Sequence, residues 1–347
     1  MSTIRVLVVD DSAFARKVVR ESLLTSPQIE VVGSARDGID ALEKIAELAP
    51  DVVTLDLVMP NLDGLGVLAA LTPDQRSRVV VVSMADGESD IGIAALGYGV
   101  FDLVHKPTAL AVASLHSIAE ELVSKVLLAA AQPRSRKLGT ETEIEVEVEV
   151  EPNPTQTRHS DRVVLIGTST GGPQALTRLL KGLPADFPAP IAIVLHIPVG
   201  YTGPFAERLN IECAIEVLEA EEGLPFLPGR AILARAGAHL SIVSTGDALT
   251  AHLALEPSDS VHRPSVDVLF ESAARCLGKR ALAVVLTGMG SDGLLGARAI
   301  SEAGGQVLTE TEATCVVYGM PRAVKEAGLS LAEIPLGRMA AELSERI

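Results

Sequence analysis

The stretch Val163-Val164-Leu165-Ile166-Gly167-Thr168-Ser169-Thr170-Gly171-Gly172-Pro173 reads as a short apolar strand, a Gly-rich turn, and the start of a helix over Gln174–Leu180. An unbroken apolar run of strand length, instead of an alternating one, implies burial on both faces, as in a parallel sheet covered by helices. Outward from it, apolar runs recur at Ile191–Leu195, Ala231–Ala234, Leu282–Leu286 and Gln306–Leu308. Residues 161–347 therefore read as a doubly wound α/β domain, with a β-rich, turn-rich insertion at about 212–260 that carries Pro225, Pro228-Gly229, Gly237 and Gly246-Asp247. The same alternation opens the chain. Strand-like runs at Ile4–Val9, Ile29–Val32, Val52–Leu55, Val79–Val82 and Val100–Val104 are separated by helical patterns such as Phe14–Leu24 and Asp40–Leu48, a second α/β unit with a five-stranded parallel sheet over 1–128.

Between the two, residues 129–160 break the rhythm: a basic Gln132-Pro133-Arg134-Ser135-Arg136-Lys137 gives way to Glu141–Glu151, where Glu alternates with Thr, Ile and Val. Glutamates on one face of an extended chain lie roughly 7 Å apart, inside a screening length of about 8 Å, so repulsion favours an extended, solvated spacer. A chain of 347 residues fits a prior of about two domains. With 48% hydrophobic but only 3% aromatic residues, the cores must be built from Val, Leu, Ile and Ala. A formal charge of -16 excludes a general nucleic-acid or anionic-membrane surface. The apolar runs fall short of the roughly 20 residues of a spanning helix, and the first residues enter a strand with no leader pattern. Cys213, Cys276 and Cys315 are scattered and indicate neither a disulfide framework nor a metal cage. The expectation is a cytoplasmic monomer with no nucleic-acid partner and no direct membrane insertion.

In a parallel sheet, chemistry collects beyond the carboxyl ends of the strands. In the N-terminal unit those ends carry Asp10-Asp11, Asp56, Ser83 and Lys106-Pro107. Three carboxylates brought together need a cation, and Mg²⁺ with oxygen ligands supplies one. Ser83 offers a hydroxyl and Lys106 a compact positive charge to a phosphoryl group on Asp56. Any one of these residues reads as polar punctuation at a strand end; the set reads as a phosphoryl-accepting site.

The runs Val8-Val9-Asp10-Asp11-Ser12, Leu55-Asp56-Leu57-Val58-Met59-Pro60-Asn61-Leu62-Asp63-Gly64 and His105-Lys106-Pro107 resemble the receiver domain of bacterial response regulators, over about residues 1–125. The resemblance implies a flavodoxin-like fold and Asp56 as acceptor of a phosphoryl group from a histidine kinase. It also implies a Mg²⁺ held by Asp10, Asp11, Asp56 and the backbone carbonyl of Leu57. Leu103 stands where many receivers carry an aromatic switch residue, and Ser83 where Thr is commoner.

In the C-terminal unit Gly167-x-Ser169-x-Gly171 has the spacing of a nucleophile elbow, although a Ser/Thr/Gly turn capping a helix is equally common. A serine nucleophile needs a base and an orienting carboxylate. Among seven histidines, only His196 ends a strand of this unit, and Asp292 follows the strand at Leu282–Leu286. His262 and Asp267 are their rivals. His239 and His252 read as core-capping or solvated. Gly288-x-Gly290-x-x-Gly293 with Glu310 beyond formally fits a dinucleotide fingerprint, but Asp292 would put a negative charge in the pyrophosphate cradle.

Together with His196-Ile197-Pro198, Phe205-Ala206-Glu207-Arg208-Leu209, His262-Arg263-Pro264-Ser265-Val266-Asp267, Leu286–Gly293 and Tyr318-Gly319-Met320-Pro321, the elbow resembles the chemotaxis protein-glutamate methylesterases. Receiver, linker and catalytic domain follow in that family's order. The resemblance implies a catalytic triad of Ser169, His196 and Asp292, with the Met289 backbone amide in the oxyanion hole. It implies hydrolysis of glutamate methyl esters, and deamidation of glutamines, on methyl-accepting chemotaxis receptors, with a chemotaxis histidine kinase as phosphodonor. No cofactor is expected for the esterase reaction, and an unphosphorylated receiver is expected to cover the catalytic cleft. The alternatives are a receiver-gated binding protein and a dinucleotide-dependent oxidoreductase; a DNA-binding regulator lacks its basic recognition helix.

Overall fold

Each apolar run of the N-terminal unit becomes one strand of a parallel sheet. The computed structural model describes residues 3–76, 78–83, 89–106, 115–132, 161–246, 248–258 and 260–347. In it β1 (Ile4–Val9), β2 (Ile29–Ala35), β3 (Val52–Leu55), β4 (Val79–Ser83) and β5 (Asp102–His105) pair in the order β2-β1-β3-β4-β5, all parallel. Around them lie α1 (Ala13–Leu23), α2 (Gly38–Leu48), α3 (Gly64–Ala70), α4 (Pro73–Arg76), α5 (Ser89–Gly97) and α6 (Leu115–Ala131). Ser12, Asp37 and Asp63 cap the first three helices, their side chains accepting from the N–H of Ala15, Asp40 and Gly66, each cap stabilising by about 1 kcal/mol. β5 starts later than the expected Val100, because Gly99, at φ 82°, is still turning off α5. α6 runs through Ala131, past the expected start of the spacer; residues 133–160, with the acidic run, lie outside the described residues.

The C-terminal unit contains β6 (Val163–Thr168), α7 (Gly172–Lys181), β7 (Ile191–Leu195), α8 (Thr202–Glu212), β8 (Glu216–Glu219), β9 (Arg230–Leu233), β10 (His239–Thr245) and β11 (Ala248–Ala254). α9 (Val266–Leu277), β12 (Ala281–Val285), α10 (Leu294–Glu302), β13 (Gln306–Glu310), α11 (Met320–Glu326), β14 (Ala332–Ile334) and α12 (Leu336–Arg346) follow. Seven strands form a parallel sheet in the order β14-β13-β12-β6-β7-β9-β8. The β-rich insertion is narrower than expected: β8 and β9 belong to this sheet, and the antiparallel hairpin β10-β11 alone forms a sheet of its own. β8 escapes a hydropathy reading because an edge strand buries few side chains, here Val217.

In both sheets the strand order reverses beside the first strand of the unit: between β1 and β3, and between β6 and β12. Such switch points open a crevice beyond the strand ends. The two units share apolar core. One buried cluster runs from Leu7, Leu55, Ile93 and Leu96 through Leu176, Tyr201, Phe205 and Leu209, and a second joins Val80, Leu122 and Val126 to Val317. Hydrogen bonds cross the same boundary: Gln174 Nε2 donates to Val100 O at 3.1 Å, Arg208 Nη1 to Ile93 O at 2.8 Å, and Gln132 Nε2 to Val316 O at 3.1 Å. Among the described residues no helix is long and apolar enough to cross a membrane.

Candidate active site and its receiver

The turn after β6 is built by two glycines. A Cβ on Gly167 would lie 2.3 Å from Val266 Cγ1, so only glycine lets the N-terminus of α9 approach the strand. Gly171 sits at φ 78°, and a side chain there would meet Val316 at 2.6 Å. Between them Ser169, half-buried, donates its N–H to Thr287 O at 3.1 Å and accepts the Gly172 N–H at 2.7 Å. His196 leaves the end of the neighbouring strand β7, its N–H bonded to Thr168 O at 3.1 Å.

Asp292, in the turn between β12 and α10, meets this pair from the other side of the switch point. Its Oδ2 is 2.8 Å from His196 Nε2. The same carboxylate accepts from Ser265 Oγ at 2.9 Å, from Val266 N at 2.8 Å and from Asp267 N at 3.0 Å, so the N-terminus of α9 holds it. Burial pushes the Asp292 carboxyl up, but His196 and these N–H donors outweigh it and hold it well below the usual range. With Nε2 turned to Asp292, Nδ1 is the remaining ring nitrogen; it is buried and makes no hydrogen bond, and none joins it to Ser169. Catalytic hydrogen bonds of this kind often tighten only in the substrate complex.

The rival residues have other positions. His262 stacks on His196 with centroids 4.1 Å apart. Asp267 lies next to Asp292 and caps α10, accepting the Gly296 N–H at 2.7 Å; burial, with Asp292 beside it, raises its carboxyl. His239 is fully buried, receives the Ser265 N–H on Nδ1 at 3.2 Å, and so steadies the cap of α9, whereas His252 is an exposed partner of Glu222. In the formal dinucleotide loop Asp292 turns to His196 and the N-terminus of α9, and a carboxylate in that turn repels a pyrophosphate. Met289, expected in the oxyanion hole, packs with Val316 on the apolar cluster that joins Val317 to Leu122 and Val126 of α6. Contacts of this kind leave no trace in sequence spacing.

At the receiver end, Asp10 and Asp56 are buried and Asp11 is exposed, and one ligand atom from each lies within 4.8 Å of the others. Lys106 Nζ is 2.8 Å from Asp56 Oδ2 and 2.9 Å from Asp10 Oδ2. Burial raises Asp10 despite that ammonium, so a single positive charge under-compensates the cluster. An all-oxygen set of this charge fits Mg²⁺. Leu57 O already accepts the Gly64 N–H at 2.9 Å, which uses one of its two lone pairs. Ser83 is buried at the end of β4, and its carbonyl accepts the Lys106 N–H at 2.8 Å. A further ion cluster was not legible in the sequence: Lys125 on α6 bonds Leu103 O at 2.6 Å, Asp102 at 3.2 Å and Glu121 at 2.9 Å. Burial pushes its ammonium down, and the two carboxylates more than restore it.

Fold and site together define a receiver domain joined to a parallel α/β domain with a Ser/His/Asp constellation at its switch point. The CheB methylesterase family model matches residues 164–343 and the response regulator receiver domain model residues 6–118. The chain is 56% identical to protein-glutamate methylesterase/protein-glutamine glutaminase 5 of Myxococcus xanthus, over 100% of this chain and 99% of that one. It is 43% identical to the Geobacillus kaustophilus protein of the same description, over 100% and 99%. The crystal structure of the Thermotoga maritima CheB methylesterase catalytic domain superposes with a TM-score of 0.53 at 37% identity, covering 54% of this chain and 98% of that one. The chain belongs to the CheB methylesterase family, with a response regulator receiver at its N-terminus.

Proposed function

We propose that the chain is a phosphorylation-activated serine hydrolase that demethylates glutamate methyl esters, and deamidates glutamines, of methyl-accepting chemotaxis receptors. The observation that carries this reading is the His196 Nε2–Asp292 Oδ2 bond of 2.8 Å beside Ser169 at one switch point. With Asp292 ionised, Nε2 holds the proton it donates and Nδ1 is left to accept the Ser169 proton. Ser169 Oγ attacks the ester carbonyl, and the Met289 amide receives the developing oxyanion. The imidazolium of His196 protonates the leaving methanol, or ammonia from an amide, and water then hydrolyses the acyl-enzyme by the same route.

Asp56 is the phosphoryl acceptor in this reading, with a chemotaxis histidine kinase as donor and Ser83 and Lys106 beside the incoming group. Asp10, Asp11, Asp56 and the Leu57 carbonyl would hold Mg²⁺, which supplies charge neutralisation for phosphoryl transfer when bound. The apolar cluster that α6 shares with Val317, and the Gln132 bond to Val316 O, support control by coverage: the unphosphorylated receiver presses on the segment that borders the Ser169 turn. Phosphorylation shifts the balance toward an arrangement in which a receptor helix can reach them. The receiver through the end of α6 acts as the switch, the acidic stretch after it as the spacer and residues 161–347 as the enzyme. Methanol release from methylated receptor membranes tests this directly, with wild type, Ser169→Ala and Asp56→Asn compared with and without a small phosphodonor. Stimulated release by wild type, none by Ser169→Ala and unstimulated release by Asp56→Asn are expected; full activity of Ser169→Ala rejects the reading.

A further inference from the structure

Thr287 is 1% exposed, and its backbone and hydroxyl groups are all engaged. Its N–H donates to Glu310 Oε2 at 2.9 Å. Its carbonyl accepts from Ser169 N at 3.1 Å and from Thr168 Oγ1 at 2.7 Å. Its hydroxyl donates to Thr170 O at 2.9 Å and accepts the Val317 N–H at 2.9 Å. The next residue, Gly288, donates to Val317 O at 3.0 Å. One side chain and its peptide groups thus join the serine turn, the end of β13 and the 315–318 segment, two residues before Met289. Glu310, the anchor, is fully buried, which raises its carboxyl against the pull of the Thr287 N–H. Placing a carboxyl there is costly unless it satisfies a backbone group that nothing else reaches.

We propose that Thr287, held by Glu310, is a positioning residue that sets the spacing between the Ser169 hydroxyl and the Met289 amide. Both side chains are buried, out of reach of a substrate in the cleft. Because the serine turn and the oxyanion loop come from different strands, their separation is not fixed by local geometry, and Thr287 O is the point where the second strand receives the first. This rests on the reading of Ser169 as nucleophile. Displacing a reacting group by about 1 Å costs roughly 100-fold in rate while leaving receptor docking alone.

The test uses the full-length protein with phosphodonor, and methanol release from methylated receptor membranes. Thr287→Val and Glu310→Met are expected to lower kcat about 100-fold with KM within about twofold, and Thr287→Ser and Glu310→Gln, which keep the hydroxyl and the acceptor, to stay within about fivefold. Valine and methionine variants with wild-type Tm and kcat overturn the proposal, as does a Gln variant as impaired as the Met variant. Should the first pair fail to fold, amide hydrogen exchange on wild type decides: Thr287 and Val317 amides as slow as those of β12 support it, and rapid exchange overturns it. Inactive Ser169→Ala beside fully active Thr287→Val sinks the positioning role alone; active Ser169→Ala sinks the nucleophile reading as well.

Discussion

The imidazole of His262 lies nearly parallel to that of His196, with ring centroids 4.1 Å apart and planes 16° apart. This stack closes one face of His196, while on the ring edge Nε2 is bonded to Asp292 and Nδ1 makes no bond. A second cation at that distance would oppose the imidazolium that His196 forms in the proposed acyl transfer. Burial and the neighbouring His196 hold His262 down to about 4, so it stays neutral where the enzyme works.

The first prediction follows from that depressed value. Unfolded, the ring would titrate near 6.5; folded, it stays unprotonated until about pH 4. Between those values the unfolded chain binds the extra proton. Stability is therefore intact above about pH 6.5 and is lost as the pH falls toward 4, by an amount on the order of 3 kcal/mol. Chemical denaturation at several pH values should show this slope in wild type and a reduced one in His262→Phe, which keeps a stacked ring without the titration. An unchanged slope refutes the assignment.

Asp292→Asn should lower kcat by roughly 10³–10⁴-fold with the fold intact. Ser265 Oγ and Asp267 N both donate to Oδ1, which holds two donors and keeps the asparagine carbonyl there; the amide then turns to His196 and gives up only the Val266 N–H bond that Oδ2 accepts. An N–H facing Nε2 drives the ring proton onto Nδ1, the nitrogen that must accept from Ser169. Methanol release under phosphodonor is the measurement.

A Cβ on Gly92 would lie 2.3 Å from Cε1 of Tyr201, a ring that is 1% exposed. Gly92→Val should force α5 away from α8 and raise activity without phosphodonor by about tenfold, the effect of about 1.4 kcal/mol on the closed arrangement. A variant that folds and keeps the low unstimulated rate argues against this seam as the closed state.

Lys125→Met removes the cation that Asp102 and Glu121 share, leaving Asp102 buried without its counter-charge. Breaking a buried pair in this way costs about 3–5 kcal/mol. The loss should appear in denaturant unfolding of the full chain, and removing Asp102 as well, in Lys125→Met/Asp102→Leu, should recover much of it.

Much of the fold was legible because the buried strands of parallel sheets are written as unbroken apolar runs, such as Val163–Ile166 and Val79–Val82. Strands with one buried side chain, such as β8, or with three residues, such as β14, carry no comparable pattern. Asp10, Asp56, Lys106, Ser169, His196 and Asp292 could be placed together because each follows a strand end in a sheet whose handedness brings those ends to one side. What could not be read was the second circle of contacts: His262 on His196, Ser265 and α9 under Asp292, Thr287 against Glu310, and α6 against Val317. The first three of these pair residues 23 to 66 positions apart in the sequence, where neither periodicity nor spacing survives.

The apolar cluster that runs from Leu96 of the receiver to Phe205 of the enzyme has a thermal consequence. Separating the domains wets that surface, and exposed apolar surface raises heat capacity, so the closed arrangement weakens on cooling. Under the proposed control by coverage, the threshold for release is thus set partly by temperature. Under that control, a cell carrying this protein would find its adaptation enzyme less restrained in the cold than its phosphorylation level alone dictates.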